Sequence, residues 1–69
     1  MAHGYTAAEA ASSYLAVENA KKIVRALGGN ESLIGTHDVA LAHIDASLGS
    51  GADKTAAQTK LDKLGHKHA

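Results

Sequence analysis

The chain has 69 residues and a mass of 7.0 kDa, with seven basic and seven acidic side chains, five histidines and no cysteine. This length holds one small domain, and the missing cysteines exclude disulfides, thiolate zinc sites and cysteine nucleophiles. A formal net charge of zero, with no Trp or Phe and two Tyr, argues against a general polyanion binder and against the stacking platform of a single-strand nucleic-acid protein.

The N-terminus, Met-Ala-His-Gly-Tyr-Thr, has neither the basic region nor the apolar run of a signal peptide. No stretch approaches the roughly 18 apolar residues of a membrane span. The expectation is a soluble, intracellular chain, cytoplasmic or of a compartment the sequence leaves open. The first predicted helix runs from about Thr6 to Leu27. Thr6-Ala7-Ala8-Glu9 has the spacing of a capping box, with a hydroxyl first and a carboxylate three residues later. Gly28-Gly29 can take the left-handed turn that stops a helix, and Lys21, Lys22 and Arg25 sit near that end, where the dipole favours cations.

Residues 29–35 form a connection whose Leu33 and Ile34 are too apolar for an idle loop. They are expected to plug the end of a bundle in a short helical turn. The second predicted helix spans Thr36 or His37 to Leu48, with Thr36 as N-cap and Gly49 as stop. His37, Leu41, Ile44 and Leu48 fall on one helical stripe. After the hinge Gly49-Ser50-Gly51, a third helix is expected from Asp53 or Lys54 to Leu64, with Asp53 as cap, Gly65 as stop and Ala57, Leu61 and Leu64 as its stripe. His66-Lys67-His68-Ala69 read as a flexible tail.

The first helix carries a mismatch of faces. From Ala16 onward, Ala16, Val17, Ala20, Ile23, Val24 and Leu27 share one side. At about 100° per residue, Ala7, Ala10, Ala11, Tyr14 and Leu15 point roughly to the opposite side. A straight helix cannot bury both against the same two short helices, so either it breaks near Ser12-Ser13 or its first half contacts another surface. In the second helix, Val39, Ala42, His43 and Ala46 form a small-residue stripe opposite Leu41 and Ile44. Fifteen of the thirty-one hydrophobic residues are alanine, and setting aside Met1, Tyr5 and Tyr14 leaves thirteen Leu, Ile and Val for a core. Small domains bury a low fraction of their surface, and many add oligomer contacts. The expectation is therefore a homo-oligomer or a place in a larger assembly. Its interface would be Ala11, Tyr14 and Leu15, with Val39, Ala42, His43 and Ala46 as a second contact.

Histidine is the enriched reactive type. His66 and His68 form an HxH pair that can hold Cu(II), Ni(II) or Zn(II) weakly, with His3 a further candidate ligand. A structural metal site needs about four fixed ligands, so no cofactor is expected. No HExxH, GxSxG, Walker or GxGxxG pattern occurs. Lys54, Lys60, Lys63 and Lys67 form a basic run that reads as a solvated flank rather than a phosphate-binding cluster.

The stretch from Ala20 to Leu33, with its Leu27-Gly28-Gly29 stop, resembles the opening of the IIB domain of sugar phosphotransferase systems. That resemblance implies paired strands after the loop, then a phosphorylated cysteine and nearby arginines. Asp38, Val39 and Ala40 stand in that region, and no arginine follows Arg25, so the resemblance implies at most a degenerate, non-catalytic relative. The expected protein is an all-α, three-helix domain, non-enzymatic, that self-associates or docks on a larger complex. The alternatives are a His-tail metal-binding protein and the IIB relative.

Overall fold

The structure, a computed structural model, describes residues 6–12 and 15–68. Among these residues the chain is helical, without strands. It forms α1 (Ala7–Ser12), α2 (Ala16–Ala26), a 3-10 turn (Glu31–Leu33), α3 (His37–Leu48) and α4 (Gly51–Leu64). No helix among them is long and apolar enough to cross a membrane.

The expected long first helix is two helices. An unbroken helix from residue 6 to 27 would be about 33 Å long at ~1.5 Å per residue, whereas the molecule measures 27 × 26 × 21 Å. The capping box forms as expected. The Thr6 N–H donates to Glu9 Oε1 at 2.8 Å, and the Glu9 N–H donates to Thr6 Oγ1 at 3.2 Å. Helix α1 packs against both α2 and α3. Ala10 is buried in the same apolar cluster as Ala16, Ala20, Ile23, Val24, Ile34, Ala40 and Ile44, with Ala7 and Ala11 packed on its edge. Splitting the helix lets Ala7, Ala10 and Ala11 turn inward together with the apolar side of α2, while Leu15 of the same expected face stays exposed. Ala11, expected at an interface between chains, is thereby half-buried against its own chain.

Helix α2 stops in a Schellman turn, with the Gly28 N–H on the Arg25 carbonyl and the Gly29 N–H on the Val24 carbonyl. Arg25 then reaches across the turn to Glu31 through two hydrogen bonds, Nε to Oε2 at 2.6 Å and Nη2 to Oε1 at 2.9 Å. Asn30 caps the 3-10 turn by accepting from the Ser32 N–H at 3.1 Å. Ile34 plugs the core as expected, but Leu33 faces outward. Thr36 caps α3, its Oγ1 accepting from the Val39 N–H at 3.2 Å.

Helix α3 is the central element, with two buried faces. Ala40 and Ile44 face the first cluster, while Ala42 and Ala46 join Ala57 and Leu61 of α4 in a second. The small-residue stripe expected to meet another chain is thus filled by α4 of the same chain. Helix α4 begins at Gly51 after Ser50, earlier than expected, which leaves Asp53 in the first turn where the dipole favours a carboxylate. Leu61 is buried, but Leu64, expected on the same stripe, is exposed. Paired strands, implied by the resemblance to IIB domains, are replaced by α3 at the point where they would fall.

Candidate functional site

Two features stand out at the contact of α3 and α4. The first is a groove of about 300 Å³ lined by Asp38, Leu41, Ala42, Asp45, Asp53, Ala56, Ala57 and Lys60. Its floor is apolar because the facing residues are mostly alanines. The two helices pack closely through Ala42, Ala46, Ala57 and Leu61, but the short side chains leave a cleft beside that seam. Three carboxylates and one ammonium rim it. Lys60 reaches across to Asp38 as an ion pair. Among the described residues no cation pairs with Asp45 or Asp53. Partial burial pushes the Asp45 carboxyl above its ordinary range, and the neighbouring Asp53 charge adds to the shift.

The second feature is a pair of histidines. His43 is 2% exposed. Its ring stacks on that of His66, with centroids 5.4 Å apart and planes at 12°. His43 Nε2 lies 3.3 Å from His66 Nδ1, and His43 Nδ1 is buried with no hydrogen-bond partner. A buried bare lone pair is tolerated better than an orphaned N–H. Which of the two facing nitrogens donates and which accepts is set by the tautomers of the rings. Burial holds the His43 imidazole below its usual pKa, and the charges of His66 and His68 push it the same way.

A Schellman turn at the end of α4 delivers His66 to this place. The Gly65 N–H donates to the Asp62 carbonyl and the His66 N–H to the Leu61 carbonyl, with Gly65 in the left-handed region. His68 then folds back onto α4, with Nε2 2.8 Å from Asp62 Oδ1. Lys67 lies beside the Gly28-Gly29 turn, where a methyl on Gly29 would stand 3.6 Å from Lys67 Cβ. Within the segment expected to be a flexible tail, residues 66–68 thus lie beside His43 of α3, Asp62 of α4 and the Gly28-Gly29 turn.

These placements redraw the expected interface. Ala42, His43 and Ala46 are buried within the chain, and Val39 is half-buried beside them. Ala42 and Ala46 pack on Ala57 and Leu61 of α4, and the His43 ring lies against His66. Leu15 remains 47% exposed, and Tyr14 lies outside the described residues. The expected metal ligands do not converge either. His66 turns to His43 and His68 to Asp62, and His3 lies outside the described residues. Among the described residues no group of three or more His, Asp or Glu could hold a metal ion. The basic run is dispersed, since Lys60 pairs with Asp38 and Lys67 runs to the end of α2. The Arg25–Glu31 clamp was not foreseen; its signal is an opposite charge six residues on, across a Gly-Gly turn.

No protein family, curated protein or solved structure matches the chain.

Proposed function

We propose that the protein is a small, non-enzymatic helical binding module whose α3–α4 groove receives a cationic amphipathic helix of a partner protein. The observation that carries this is the pairing of an apolar floor with an acidic rim, in which Asp45 and Asp53 lie close to each other and, among the described residues, form no ion pair with a cation. An amphipathic helix supplies both complements, with apolar anchors at i, i+3 and i+4 for the Leu41 and alanine floor and basic residues for the rim. Charge complementarity of this kind sets specificity and association rate. The experiment is fluorescence anisotropy with a labelled Leu/Lys amphipathic peptide and its Leu/Glu counterpart. The expected result is saturable binding of the cationic peptide alone, weakened at high salt and reduced at least tenfold by Asp45→Lys. Equal binding of both peptides, or binding of neither, overturns the reading.

Self-association is a second reading, favoured by the exposure of Leu15 at the junction of α1 and α2. A large apolar side chain with half its surface in water is an anchor for a symmetric contact. Sedimentation velocity of the wild-type chain and Leu15→Ser separates the two readings. An oligomer lost on the substitution supports self-association, and a monomer at tens of micromolar removes it.

A further inference from the structure

We propose that Lys60 makes the α3–α4 groove directional, so that a partner helix lies in it with its basic end over Asp45 and Asp53 and its uncharged end over Asp38 and Lys60. This deepens the groove reading and rests on it. The two-residue link Gly49-Ser50 folds α3 and α4 into an antiparallel hairpin. Its register sets Asp38 against Lys60 at the end far from the link, and Asp45 near Asp53 at the end beside it. These four residues are the charged part of the groove lining. The far end carries one carboxylate and one ammonium joined as an ion pair, and its charges cancel. The near end carries two carboxylates with no paired cation among the described residues.

Neither the helix dipoles nor Lys54 evens out this difference. Each end of the hairpin holds the N-terminus of one helix and the C-terminus of the other, so the dipoles offset one another at both. Lys54 follows Asp53 directly, and adjacent residues on a helix do not face each other. Asp38 and Asp45 are seven positions apart on α3, which is about 10 Å at ~1.5 Å per residue. That exceeds the screening length of about 8 Å at physiological salt, so a cation at one end feels little of the other. The floor between the ends is Leu41, Ala42, Ala56 and Ala57. Apolar contact has no sign and accepts a helix in either direction. The rim charges therefore choose the direction, and Lys60 does so by cancelling Asp38.

The test uses the full-length ¹⁵N-labelled chain and two peptides with the same leucine face. One has its lysines confined to the N-terminal turn, the other to the C-terminal turn. Both are acetylated and amidated to remove the terminal charges, and each carries a nitroxide at its lysine end. The expected result is saturable binding of both, with the nitroxide broadening the Asp45 and Asp53 amides rather than those of Asp38 and Lys60, at an orientation ratio of about five to one. The direction of the peptide chain reverses between the two complexes, while the broadened end of the groove stays the same. Lys60→Gln frees Asp38 and is expected to bring the ratio below about two to one. The same variant should bind a peptide with lysines at both ends about threefold more tightly than wild type does. The Lys60 side chain is 42% exposed, and a surface substitution of this kind leaves the fold intact. Asp45→Asn combined with Asp53→Asn is expected to erase the preference. Saturable binding without a preferred end in the wild-type chain, or a preference unchanged in Lys60→Gln, overturns the directional proposal and leaves the groove reading standing. Failure of both peptides to bind overturns the two together.

Discussion

Gly28 and Gly65 close α2 and α4 with the same turn, at φ of 76° and 75°. Each puts its own N–H and that of the next residue onto carbonyls of the preceding turn. A side chain in this left-handed conformation costs roughly 1–2 kcal/mol. Gly65 has open space where a Cβ would go, so the cost of Gly65→Ala is purely conformational. We expect about 1 kcal/mol by urea denaturation for Gly65→Ala, and less for Gly65→Asn because asparagine tolerates this region. Equal losses for the two variants would show that something other than backbone geometry is involved.

Leu61 and Leu64 are both leucines of α4, yet only Leu61 is buried; Leu64 is 51% exposed. Leu61→Ala leaves a cavity against Ala42, Ala46 and Ala57, and such cavities cost roughly 2–5 kcal/mol. In a chain this small that loss is enough to unfold a large fraction of molecules. Leu64→Ala should stay within about 0.5 kcal/mol of wild type, as surface changes usually do. Thermal melts of the two variants side by side check the pair.

Thr36 holds the first turn of α3 through the Val39 N–H. Removing that acceptor with Thr36→Ala should cost about 0.5–2 kcal/mol, and Thr36→Ser should restore most of it. Because α3 contacts α1, α2 and α4, the loss should appear as a shift of the whole unfolding transition. Fraying confined to the amides of residues 37–40 would contradict this.

Stability should fall as the solution is acidified below neutrality. The folded-state pKa of His43 is depressed below 6.5, first by burial and then by His66 and His68. Above about pH 6.5 both folded and unfolded forms are neutral, and His43 contributes no slope. Below that point the unfolded chain binds the proton first, so stability drops until the folded-state pKa is passed. Asp45 acts with the opposite sign, since its raised pKa makes the folded chain the better proton acceptor. Urea midpoints should be higher at pH 8 than at pH 5, and the penalty of His43→Leu should shrink over the same interval. A penalty independent of pH would refute the assignment.

Much of the architecture was legible in local chemistry. The Thr6 and Thr36 caps, the glycine stops at Gly28, Gly49 and Gly65, the helical turn before Ile34 and the all-helical class follow from capping and periodicity alone. The two opposed stripes of α3 were legible in part: Ile44 and Ala46 fall as expected, but Leu41, read with Ile44, lines the groove beside α4, His37 is exposed, and Ala40 joins Ile44 in the core. What covers the second stripe was not. Alanine and leucine spaced four apart on α4 suit a neighbour in the same chain as well as one in another, because the hydrophobic effect is non-directional. The burial of His43 follows from that same choice. The Asp38–Lys60 ion pair joins residues 22 apart in sequence and has no local signature.

Helix starts and stops were written in short-range hydrogen bonding, where a residue meets partners three to five positions away and the chain's own geometry fixes the outcome. Which faces met, and therefore which side chains lost water, depended on how the helices turned back on one another. That turn set Leu15 outside and Leu61 inside, drew the acidic groove between α3 and α4, and laid His66 on His43. Contacts between distant segments depend on loop direction and on mutual packing of every element at once, so only the folded chain decides them.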